Sequence, residues 1–88
     1  MKTNLLYIPN VGIQIKKDLL SIGITCVEDL VSKNPEQLYQ EVCHKKGYQE
    51  DRCLLYVFRM AVYYAEHQTY EDEKLKWWYW KDKEYPEK

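Results

Sequence analysis

The run CLLYVFRMAVYYA, residues 53–65, constrains this chain more than any other stretch. It is too short, and interrupted by Arg59, to cross a bilayer that needs roughly 20 apolar residues. Wound as a helix it is apolar nearly all round, and such a helix is covered on every side by the rest of its domain. Arg59 inside it needs a carboxylate or helix-end carbonyls, because an unpaired buried charge is strongly destabilising. The chain available to cover it is short: 88 residues make one domain. At that size only about 60 to 65 per cent of the unfolded surface is buried, so large rings matter. Nine tyrosines and three tryptophans supply them.

Around this centre the helix signals are frequent and period-two strand signals are poor. A short helix is expected over residues 2–7, stopped because Pro9 drives Ile8 out of helical geometry. A second starts at Ile13, with Ile15, Leu19 and Ile22 on one stripe, and closes at Gly23 acting as a left-handed residue. Thr25 with Glu28 reads as a capping box for a third, whose apolar side is Val27, Leu30 and Val31. Asn34-Pro35-Glu36-Gln37 opens a fourth that ends at Gly47, and Asp51 caps a fifth running to about Glu66. One more helical stretch is expected near residues 71–79. The fold class is therefore all-α: a domain over residues 1–70 and an aromatic, charged extension over 71–88 packed on it, with a frayed end marked by Pro86.

Charge narrows the function classes. Thirteen basic and 14 acidic residues leave a net charge of −1, and no segment is strongly basic, which weighs against broad phosphate binding while leaving room for a local basic spot. The amino terminus, MKTNLLYIPN, lacks a signal-peptide core, so a cytoplasmic location is the default. Cys26, Cys43 and Cys53 are odd in number and without C-x-x-C spacing, so thiols in a reducing compartment are expected. Neighbouring Cys43 and His44 on one helix point in different directions, and a metal site with Cys53 is not expected. No third group orients a Cys-His pair, and the acidic runs Glu28-Asp29 and Glu71-Asp72-Glu73 sit at helix starts, where they are structural. Neither catalytic residues, a cofactor, a small-molecule substrate nor a membrane span is expected.

What remains is the segment Ile8-Pro9-Asn10-Val11-Gly12. A tight turn between two helices leaves amides unpaired and asks one residue for a conformation that side chains oppose, the role assigned to Gly12. Those amides and the positive end of the helix suit a phosphate.

Ile8-Pro9-Asn10-Val11-Gly12, the helix to Gly23 and the continuation Ile24-Thr25-Cys26-Val27-Glu28-Asp29-Leu30 resemble a helix-hairpin-helix motif. With DRCLLYVFRMAVYYAE and LKWWYWKD added, residues 5–83 resemble the small bacterial pathogenicity locus family, whose members are often labelled mitomycin resistance proteins. The resemblance implies five short helices in tandem helix-hairpin-helix (SAM-like) order, and a non-enzymatic module holding a DNA phosphate without sequence preference. The residues it implicates are Pro9, Asn10, Val11, Gly12, Ile13, Gln14, Lys16 and Lys17, with the amides of Val11, Gly12 and Ile13 as donors. Asn10 stands where the family motif has its first glycine, Gln14 where many DNA-binding members have lysine, and Lys16 where a small residue is usual. The turn HKKGYQED is a degenerate second hairpin, with Lys45, Lys46 and Arg52 as weaker contacts; lysines there also serve the helix dipole.

Trp77, Trp78 and Trp80 among lysines have the composition of a single-strand stacking surface. Packing over the central helix is favoured for most of these rings, leaving one exposed for a partner. The alternative to DNA is a protein partner, docked through Tyr48 or the tryptophan tail on a scaffold that has lost DNA binding.

Overall fold

The computed structural model describes residues 2–85. Among them are three α-helices, α1 (Ile13–Ser21), α2 (Pro35–Lys46) and α3 (Arg52–Glu66), four 3₁₀ turns and no strand. The frayed end expected from Pro86 onward lies outside the described residues.

The ends of the α-helices follow from local chemistry. Asn34 accepts from the Glu36 and Gln37 amides at 2.9 and 3.4 Å, with Pro35 in the first turn, and opens α2. Asp51 accepts from the Cys53 amide at 2.8 Å and opens α3. At the end of α1, Gly23 has φ +89, its N–H reaches the Leu20 carbonyl, and the next amide, Ile24, reaches Leu19 at 3.0 Å. That pair of bonds is a Schellman closure, which needs a left-handed residue.

Three expected helices take a different form. The first is a 3₁₀ turn, Leu5–Tyr7, capped by Asn4. The third is a 3₁₀ turn, Val27–Leu30, and its capping box does not form: Glu28 instead accepts from the Thr3 amide and hydroxyl at 2.7 and 2.6 Å, while Thr25 donates to Asp29. With its N3 carboxylate drawn to another segment, this short piece lacks the reciprocal bonds of a capping box. The stretch expected over 71–79 splits at extended Lys76 into two 3₁₀ turns, Asp72–Leu75 and Trp77–Lys81. There the Lys74 carbonyl accepts the Trp80 indole N–H at 2.9 Å, so the break lets Trp80 bury its ring completely and still satisfy its nitrogen.

Helix α3 is the centre. Leu54, Leu55, Val57, Phe58, Met60, Ala61, Val62 and Tyr63 are all buried on it. α2 and the 3₁₀ turns Val27–Leu30, Asp72–Leu75 and Trp77–Lys81 pack against it, and α1 packs on α2. Leu5, Ile8 and Leu19, each at 0 or 1% exposure, join the same core, so the segment before α1 is anchored rather than loose. Arg59 is 5% exposed and finds the acceptors its burial demands: Glu36 at 2.5 Å and the Trp80 and Lys83 carbonyls at 2.7 and 3.3 Å.

Candidate nucleic-acid interface

The segment between Tyr7 and α1 is a sharp reversal. Val11 N–H donates to the Ile8 carbonyl at 3.2 Å, bracketing Pro9 and Asn10, and Asn10 has φ +68. Proline followed by a residue of positive φ is type II turn geometry. The left-handed position is therefore Asn10, which tolerates it better than most residues. Gly12, expected to hold that conformation, is extended at φ −98 and ψ −171. A Cβ built on Gly12 meets nothing within 4 Å, so the space in front of it is open.

Of the three amides expected as donors at this turn, one is already engaged. Val11 is 6% exposed and its amide is already bonded to Ile8, which removes it from the set of outward N–H groups. Gly12 gives α1 no side-chain cap, the first turn carries no acidic residue, and the first helical backbone bond is Lys16 N–H to the Gly12 carbonyl at 2.9 Å. Among the described residues, the amides of Gly12, Ile13, Gln14 and Ile15 thus precede that first bond without an internal acceptor. They add their partial charges to the positive end of the helix.

Around those amides Pro9 is half-buried, Asn10, Gln14 and Lys17 are exposed, and Ile13 is 64% exposed. The Lys16 ammonium lies 3.3 Å from the Asn4 carboxamide oxygen, held against the preceding turn, whereas Lys17 enters no ion pair among the described residues. Asn10 also has a partner that nothing in the local sequence signals: its Nδ2 donates to the Leu75 carbonyl at 3.2 Å, across 65 positions. The C-terminal extension thus reaches the hairpin turn.

The second turn is arranged differently. Lys46 sits between Asp18 at 3.1 Å and Glu50 at 2.6 Å. Those two carboxylates push its pKa up, and Lys46 in turn holds the Glu50 carboxyl below the usual range. Its charge is answered within the molecule, and the bridge to Asp18 ties α1 to this turn. Lys45 is exposed over a groove shared with Ser21, Gln37 and His44. Arg52 is exposed beside Tyr39, Tyr48 and Gln49, with the Tyr56 hydroxyl raising its pKa.

A family model described as Pathogenicity locus matches residues 2–85. The chain belongs to the pathogenicity locus family. No match is found among curated proteins or among solved structures. In this family member no group of three or more His, Cys, Asp or Glu residues is gathered to hold a metal, among the described residues. Cys26 is buried, Cys43 is half-buried and accepts from the Glu50 amide at 3.3 Å, and Cys53 is exposed. No helix described here is long and apolar enough to cross a membrane.

The tryptophans divide as their burial requires. Trp80 is fully buried and contacts the Tyr63, Tyr79 and Tyr85 rings. Trp77 is half-buried and lies parallel to Tyr56 at 6.5 Å, while Trp78 is 56% exposed.

Proposed function

We propose that this pathogenicity locus protein is a non-enzymatic DNA-binding module with a tandem helix-hairpin-helix arrangement whose second hairpin is degenerate. It binds duplex DNA weakly and without sequence preference, a backbone phosphate resting on the amides of Gly12 and Ile13, with Lys17 supplying charge and Lys16 a shorter reach from its place by Asn4. The observation that supports this reading is the uncapped start of α1 behind a type II turn, opening onto free space at Gly12. Oriented amides with no internal acceptor and no neighbouring acid favour an anion. The net charge of −1 limits the affinity, because few counterions are released per complex.

Fluorescence anisotropy with a labelled duplex at two salt concentrations tests it. Gly12→Val places a side chain in front of the amides, and its Cβ meets nothing within 4 Å. Its binding should weaken while far-ultraviolet circular dichroism stays that of the parent. Lys17→Glu should weaken binding and flatten the salt dependence by about one phosphate contact. No binding even in dilute buffer overturns the reading.

A second reading has its own support: Tyr7 at 70%, Ile13 at 64% and Tyr48 at 59% exposure are large apolar side chains in contact with water. They suit a protein partner, whose docking would respond little to salt.

A further inference from the structure

Trp78 is exposed where its neighbours Trp77 and Trp80 are packed. Burial of Trp80 accounts for the way the last 3₁₀ turn closes on α3, and Trp77 rests parallel to Tyr56 with a 3° angle between the rings. Trp78 stands edge-to-face on Trp77, ring centroids 5.7 Å apart at 87°, and keeps 56% of its surface in water. The Lys76 ammonium lies 5.9 Å from its centroid. Lys76 has no ion pair to a carboxylate among the described residues, so the cation beside this ring is not neutralised locally. The orientation of Trp78 is therefore set from below, by Trp77 and through it by Tyr56 on α3.

A fixed, solvent-facing indole with a cation beside it is the arrangement on which an unpaired base stacks while its phosphate meets the ammonium. The bases of a duplex are already stacked on one another, so this ring offers them little. The position matters as well. The Leu75 carbonyl, three residues before Trp78, accepts from the Asn10 side chain at 3.2 Å, so the tail that carries the ring touches the hairpin turn. Three residues of extended chain span at most about 11 Å.

We propose that Trp78, with Lys76, is a stacking site for a base of single-stranded DNA, placed so that the same strand continues onto the amides of Gly12 and Ile13. This rests on the nucleic-acid reading of the hairpin and adds the strand class to it. A junction between duplex and single strand fits both parts at once. The extension is charge-balanced, its lysines interleaved with Asp72, Glu73, Asp82 and Glu84, so the ring and not the field supplies the preference.

The test is anisotropy with an unlabelled-protein titration into a fluorescein-labelled 15-mer of thymidine, beside a duplex of equal length, for the parent, Trp78→Ala, Trp78→Phe and Gly12→Val proteins. Trp78→Ala should bind the thymidine strand at least about fivefold more weakly, Trp78→Phe should recover much of that, and the duplex should be bound as by the parent. Intrinsic tryptophan emission should be quenched as the strand saturates the parent and less so for Trp78→Ala. Equal affinity of Trp78→Ala and parent for the thymidine strand overturns the stacking site, even where Gly12→Val lowers duplex binding and so leaves the hairpin reading standing. Loss of strand binding in Trp78→Ala alone, with Gly12→Val unaffected on both probes, keeps the stacking site and sinks the hairpin. No binding of either probe in dilute buffer overturns both.

Discussion

Arg59, 5% exposed in the middle of the central helix, donates to the backbone carbonyl of Trp80 at 2.7 Å. A charge that would be costly in a core is here the fastening of the C-terminal extension, because the same guanidinium also holds Glu36 on α2 and the Lys83 carbonyl. Planar, forked donors can satisfy acceptors on two elements at once, which an ammonium cannot do with the same geometry.

Replacing Arg59 with methionine should therefore loosen the tail as well as lower stability. The loss expected is about 2 to 3 kcal/mol, less than for a fully buried pair because the Glu36 side chain is 44% exposed. Urea denaturation measures it, and the native tryptophan emission should shift to the red as Trp80 gains water. An Arg59→Met protein with unchanged midpoint and emission would mean the tail is held without this residue.

Asn10 has a left-handed backbone and a side chain bonded to Leu75. Asn10→Ala should cost about 1 to 2 kcal/mol from φ alone. Asn10→Gly relieves that strain and loses only the exposed bond, so its unfolding midpoint should lie close to the parent's. Equal losses for the two variants would show that conformation is not what the position selects.

Lys46→Gln should leave DNA affinity unchanged, since its ammonium is already engaged by Asp18 and Glu50. The stability change should stay under about 1 kcal/mol, as expected for partly exposed pairs. An anisotropy curve shifted to weaker binding would restore Lys46 as a phosphate contact.

The Thr3 hydroxyl, and after it the Thr3 amide, lower the Glu28 pKa from 4.5 to about 2. A depressed folded-state value stabilises above the unfolded pKa and is lost as pH falls through the folded one, so this clamp is complete above about 4.5 and released toward 2. Carbon-detected titration of the Glu28 carboxyl should follow that course, and Glu28→Gln should flatten it at the Thr3 amide. A Glu28 midpoint near 4.5 in the folded protein would remove the clamp.

Much of this architecture is written in short stretches of the chain. Asn34 and Asp51 cap amides two and three positions away, Gly23 and Gly47 close helices on carbonyls within five, and the apolar wheel of residues 53–65 requires a central helix whatever surrounds it. Such bonds form between neighbours whose distance the backbone alone dictates, so residue type and spacing suffice to read them. The partners that only the tertiary structure decided lie far apart: Glu28 turns from Thr25 to Thr3, Lys46 finds Asp18, Arg59 finds Trp80, and Asn10 finds Leu75. For these, several residues along the chain offer equivalent chemistry, and the choice among them is made by how the short elements pack around α3. The same packing splits the tail into two 3₁₀ turns, since burying Trp80 with its indole nitrogen satisfied outweighs the hydrogen bonds of a continuous helix.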